Sequence, residues 1–126
     1  MSHKHPLRSD DAPQPAGPYS QAIVTGDLLF TAGLGPQHPA TGEVAASVGE
    51  QTRQVLRNLE AVLAESGATL DDALKATVHL ADLADVPEFN EAYREFFTEP
   101  YPVRTTVGSQ LDSILVEIDL VARIPS

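Results

Sequence analysis

From Ile114 to Ala122 the chain alternates without a break. Ile114, Val116, Ile118, Leu120 and Ala122 fall on one side of an extended strand; Leu115, Glu117, Asp119 and Val121 fall on the other. Successive side chains of a strand point to opposite faces, so this stretch demands a sheet with one thoroughly apolar face. The other face is mixed, with two carboxylates between two apolar residues. A chain carrying such a strand needs helices packed on the first face and some cover for the apolar residues on the second.

The rest of the sequence supplies the helices. Ser47-Val48-Gly49-Glu50 has the form of a capping box, and Val55, Leu56, Leu59, Val62 and Leu63 follow at helical spacing up to Gly67 at C′. Asp85 and Pro87 open a second helix whose face is Phe89, Ala92, Tyr93, Phe96 and Phe97, stopped by Pro100 and Pro102. Leu74, Ala76, Val78 and Leu80 alternate with Lys75, Thr77 and His79 as a strand buried on one side. Val103–Val107 reads as another strand. Ser20–Val24 and Leu28–Leu34 read as a hairpin across Thr25-Gly26-Asp27, with a further short strand near Val44. Met1 to Gly17 reads as an extended arm, ordered only if something holds it down. The order ββ(β)αβαββ predicts an α+β two-layer sandwich, a single domain over 1–126 with two helices on one face of one sheet. Its other face carries Leu115 and Val121, and self-association is the simplest cover.

Charge and composition narrow the function. The 126 residues include no cysteine, which removes disulfides, thiolate metal sites and thiol nucleophiles. Eight Lys+Arg against 18 Asp+Glu give a net charge of −10, and no Lys or Arg occurs between Asp11 and Thr52. Nucleic acid and anionic membranes are poor partners for such a chain. No basic leader precedes an apolar run, so a soluble, cytoplasmic protein is expected. There is no G-x-S-x-G elbow, phosphate-binding Gly loop or H-E-x-x-H motif. Of the four histidines, His3 and His5 lie in the arm, His38 follows a Gly-Pro loop and His79 is on a polar strand face. No trio has ligand spacing, so no metal is expected.

Two residues stand out for chemistry. Arg104 is the one cation between Arg94 and Arg123, in an extended, β-branched stretch. Its planar fork suits a carboxylate, either a substrate's or that of a neighbour such as Glu95 or Glu99. Glu117, flanked by Val116 and Ile118, could orient a water or shuttle a proton, or be an edge-strand charge that discourages aggregation.

Longer motifs go further. Ala12-Pro13-Gln14-Pro15-Ala16-Gly17-Pro18-Tyr19-Ser20-Gln21-Ala22 resembles the opening signature of the RidA/YjgF/UK114 family. The same holds for the stretch from Asn58 to Gly67, for Lys75-Ala76-Thr77-Val78-His79-Leu80-Ala81-Asp82-Leu83, and for the second helix from Phe89 to Phe97. Tyr101-Pro102-Val103-Arg104-Thr105-Thr106-Val107 and Val116-Glu117-Ile118-Asp119-Leu120-Val121-Ala122 are similar to that family's closing strands. The resemblance implies a chorismate-mutase-like fold in a homotrimer, with three clefts between subunits. It implies cofactor-free hydrolysis of 2-imino or enamine acids to 2-keto acids and ammonia. By position, Arg104 would clamp the substrate carboxylate, Glu117 would hold the attacking water, and the Thr106 backbone would face the reacting carbon. Tyr19, Gly33 and Asn90 would line the cleft. Two departures are visible: Ala32 and Leu34 stand where archetypal members carry Ser and Gln, and Thr106 where some carry Cys. Ala32 removes a hydroxyl and leaves room for a non-catalytic carboxylate-binding regulator. A ribonuclease or translation inhibitor, a label some relatives carry, is opposed by the acidity and by the lack of a His pair near Arg104.

Overall fold

The computed structural model describes residues 3–126; Met1 and Ser2 of the expected arm lie outside them. The chain runs β1 (His5–Leu7), β2 (Ala22–Thr25), β3 (Leu28–Thr31), α1 (Val48–Ala64), β4 (Ala73–Leu80), α2 (Val86–Arg94), β5 (Val103–Gly108) and β6 (Val116–Arg123), with single 3₁₀ turns at Leu70–Asp72 and Leu83–Asp85. The six strands form one mixed sheet in the order β1-β2-β3-β6-β4-β5. β4 and β5 pair in parallel, as α2 crosses between them, and every other pair is antiparallel. Both helices pack on one face, the α+β sandwich that the alternation of β6 demanded. No helix among the described residues is long and apolar enough to cross a membrane.

The buried face of β6 is Val116, Ile118, Leu120 and Ala122, against Val55, Leu56, Leu59, Val62 and Leu63 of α1 and Phe89 of α2. Ser47 caps α1, its Oγ accepting from Glu50 N at 3.1 Å. Gly67 takes φ +81° after the last turn, the left-handed conformation that favours glycine. Three buried amide side chains tie the loops to this frame. Gln51 donates to Ala45 O and accepts from Leu115 N; Asn58 donates to Gly35 O and Gln37 O. Gln21 accepts from Ser9 N at 2.7 Å and donates to Pro13 O at 2.8 Å.

Gln21 is what holds the arm. Instead of a featureless extension, it contains β1, which adds an edge strand beside β2, and then folds over Gln21. Other expectations also shift. Leu74 is exposed, since a bulge between Ala73 and Lys75 puts Ala73 inward in its place. No strand forms at Val44. The backbone there closes a turn, with His38 N donating to Glu43 O and Gly42 N to His38 O. The second helix ends at Arg94, so Phe96 and Phe97 pack from beyond its last turn.

The outer sheet face carries Ile23, Phe30 and Val121 in one cross-strand row, with Val103 and Val107 on β5. Phe30 is 42% exposed and Val103 67%. Between these lies Asp119, whose carboxyl is held above the usual aspartate range by burial, partly offset by His79, Thr77 and Lys75. A raised carboxyl in the folded state penalises folding once it ionises, above the ordinary aspartate pKa, and costs nothing when protonated in both states. Asp119→Asn therefore raises the melting temperature at pH 7, and the gain disappears as the pH falls below the ordinary aspartate range. Melting curves across pH 3–8 check this.

Candidate functional site

Arg104 registers with Ala76, a core-facing residue, so its side chain leaves β5 on the helix side of the sheet. There it lies over two rings of α2. Its guanidinium carbon is 5.3 Å from the Phe89 centroid and 4.9 Å from that of Tyr93. Phe89, Tyr93 and Phe97 form a ladder with centroid spacings of 5.4 and 4.4 Å. A guanidinium over such rings is held by cation–π attraction and keeps its N–H edge available. The neighbour expected to pair with it is engaged elsewhere: Glu95 accepts three hydrogen bonds from Arg53, at 2.8 to 3.1 Å. The ion pairs among the described residues are Arg8–Asp10, Arg53–Glu95 and Arg123–Asp27. Arg104 is in none of them, nor is Glu99.

Asn90, Tyr93, Arg94, Tyr101, Pro102 and Arg104 enclose a cavity of about 280 Å³. Tyr93 is buried, which pushes its phenol up against a smaller opposing effect of Arg104, and its hydroxyl has no hydrogen-bond partner among the described residues. Thr106 registers with Val78 and so shares the Arg104 side of β5.

Glu117 points the other way. It registers with His79 on the outer face, and its carboxylate lies against the backbone of Gly33. The segment around Gly33 is fixed by a two-way pairing of Leu34 with Ile118, at 2.9 and 3.2 Å. Glu117 and Gly33 open onto a second cavity of about 280 Å³, bounded by Tyr19, Pro13 and Ile114. Tyr19 stands 51% exposed at its rim, its hydroxyl accepting from Ala16 N at 3.1 Å. Ala32 is half-buried against the core and Leu34 is buried.

A Cβ on Gly33 would sit 2.7 Å from Glu117 Oε2 and 2.9 Å from its carboxyl carbon. The obstructing group is the free end of a flexible side chain, so it swings aside at little cost in stability. Gly33→Ala thus leaves the melting temperature within about 2 °C but displaces the Glu117 carboxylate. Activity that falls while melting is unchanged is the expected pair of readings.

The sequence-derived residues thus fall into two groups on opposite faces: Arg104, Thr106 and Asn90 on one, Glu117, Gly33 and Tyr19 on the other. Within one chain the sheet separates them. His79, whose Nδ1 is 2.8 Å from Ser109 Oγ, belongs to the outer face and not to the Arg104 cavity. The roles of Phe89 and Tyr93 under Arg104 escape the sequence, where aromatic residues four apart on a helix read as core. A wider depression between α1 and the 36–45 loop holds Glu43, Glu50, Arg53 and Arg57, a mixed-charge helix surface of the ordinary solvated kind.

The family model described as Endoribonuclease L-PSP matches residues 9–124. A RutC family protein of Pyrococcus abyssi is 43% identical over 94% of this chain and 96% of its own length. The protein of Dermatophagoides farinae named 2-iminobutanoate/2-iminopropanoate deaminase is 36% identical over 86% of this chain and 85% of its own. Among solved structures, Escherichia coli TdcF with bound serine superposes with a TM-score of 0.90 at 35% identity, covering 95% of this chain and 98% of that one. With the fold, the motifs and these similarities in agreement, the chain belongs to the RidA/YjgF family.

Proposed function

We propose that this protein hydrolyses reactive 2-imino acids, and the enamines that tautomerise to them, to 2-keto acids and ammonia, using no cofactor. The observation that carries the reading is Arg104: a guanidinium in no ion pair among the described residues, its carbon over two rings at 5.3 and 4.9 Å, lining a cavity. An α-imino acid has a carboxylate one bond from its electrophilic carbon, so clamping that carboxylate fixes the carbon. A water held by Glu117 adds to C2 as the C=N π pair moves to nitrogen; its proton passes to the Glu117 carboxylate and from there to that nitrogen, giving the carbinolamine. The carbinolamine hydroxyl then gives its proton by the same route to the amine as the C–N bond breaks, so that ammonia leaves, the keto acid remains and Glu117 is again ionised. The Thr106 backbone would face C2, and Tyr19, Gly33 and Asn90 would bound the site. Relatives named Reactive Intermediate Deaminase A and 2-iminobutanoate/2-iminopropanoate deaminase support this chemistry.

Arg104 and Glu117 act on one substrate only if they come from two copies of the chain. A homotrimer with a cleft at each subunit boundary meets that need and covers the apolar row of Ile23, Phe30 and Val121. The second reading, a small-carboxylate binder without turnover, draws on Ala32, which offers no hydroxyl. The ribonuclease label attached to the family model fits poorly with a chain of net charge −10 whose His79 faces away from Arg104.

The test generates 2-iminobutanoate with a dehydratase and traps it with semicarbazide. Added protein is expected to suppress semicarbazone formation and hasten release of the keto acid. Unchanged semicarbazone yield alongside measurable keto-acid binding would favour the binder.

A further inference from the structure

We propose that the Arg104 cavity is selective for substrates with two carboxylates, 2-imino dicarboxylic acids of four or five carbons, with Arg94 anchoring the distal one. This rests on the deaminase reading, in which Arg104 holds the carboxylate beside the reacting carbon. The chain has eight Lys+Arg against 18 acids, yet two of those cations line this one cavity and no Asp or Glu does. Arg94 is in none of the three ion pairs of the described residues, which use Arg8, Arg53 and Arg123. It sits in the last turn of α2, directly after Tyr93, the ring under Arg104. A cation there is favoured by the helix dipole, which accounts for its charge but not for its share of the cavity wall.

The remaining wall is also polar. Asn90 offers an amide, Tyr101 a hydroxyl, and Tyr93, only 6% exposed, a hydroxyl without a partner among the described residues. Two unpaired guanidiniums and neutral donors suit a short dianion better than a plain alkyl chain. A space of about 280 Å³ lies just under the range of drug-sized ligands and accommodates a four- or five-carbon acid. The chemistry at C2 is unchanged: water adds, ammonia leaves, and the distal carboxylate takes no part in bond making.

The experiment compares products of equal chain length, 2-oxoglutarate and 2-oxopentanoate, by calorimetric titration of the intact protein at low salt. Wild type is expected to bind the dicarboxylate at least ~5-fold more tightly, the upper end for one exposed ion pair. Arg94→Gln should bring the ratio of the two affinities close to one, and Arg94→Lys should keep part of it. Arg57→Gln, which removes an equal charge from the exposed side of α1, should keep the ratio intact. A wild-type ratio of one, a ratio that survives Arg94→Gln, or an equal fall in Arg57→Gln would overturn the inference. Turnover of the matching imines separates the two readings. Hydrolysis of the monocarboxylate imine with an affinity ratio of one sinks this inference alone. An Arg94-dependent ratio without hydrolysis of either imine sinks the deaminase reading and keeps the selectivity.

Discussion

Arg104→Lys is expected to lower kcat/KM for imine hydrolysis by ~10–150-fold, the equivalent of about 1.5–3 kcal/mol for hydrogen bonds to a charged group. The guanidinium carbon lies over the Phe89 and Tyr93 rings, 5.3 and 4.9 Å from their centroids, and the rigid fork presents its N–H groups in one plane. A carboxylate in that plane is gripped at two points and cannot rotate. An ammonium keeps the charge and some attraction to the rings, but it grips at one point and leaves C2 free to swing away from the water. Arg104 is exposed at the edge strand, so the Lys variant should fold and melt as wild type does. Near-native turnover in that variant would remove the clamp.

Glu117→Gln has a comparable effect through a different step. General-base catalysis contributes ~10²–10⁴-fold, so turnover should fall by at least ~10²-fold while keto-acid affinity changes less than about twofold. The amide preserves shape against Gly33 and one acceptor oxygen, but it has no charge to take the proton from water. If Glu117 were only a surface charge, neither quantity would move. If it were needed to assemble the carboxylate site, both would fall together. Measuring kcat and keto-acid affinity on the one variant separates these outcomes.

Much of this was legible in the residues, for a physical reason in each case. The period-two pattern of β6 dictates which face is buried, and that face is the one observed. The two helices announce themselves by apolar spacing and by the Ser47 cap. What escaped was set by contacts distant in sequence. β1 pairs with β2, and the segment after it is tied down by Gln21, which binds backbone groups 8 and 12 residues earlier; a lone Gln carries no sign of that. Alternation places Leu74 among the buried residues because it takes no account of the bulge between Ala73 and Lys75. At the site, the residue types pointed to Arg104 and Glu117, but spacing along the chain could not say which face each occupies. The pairing of β5 with β4, and of β4 with β6, decides that. Once Arg104 registers with Ala76 and Glu117 with His79, a single chain cannot bring them together.

That separation makes subunit mixing the most direct measurement. Arg104→Ala and Glu117→Gln chains, each inactive alone, are unfolded together in equal amounts, refolded and assayed. In a ring of three, every mixed trimer has one boundary where an intact Arg104 meets an intact Glu117. Random assembly therefore restores about one quarter of the wild-type rate. A mixture no more active than its two components, in trimers shown to contain both chains, would contradict a site shared between copies.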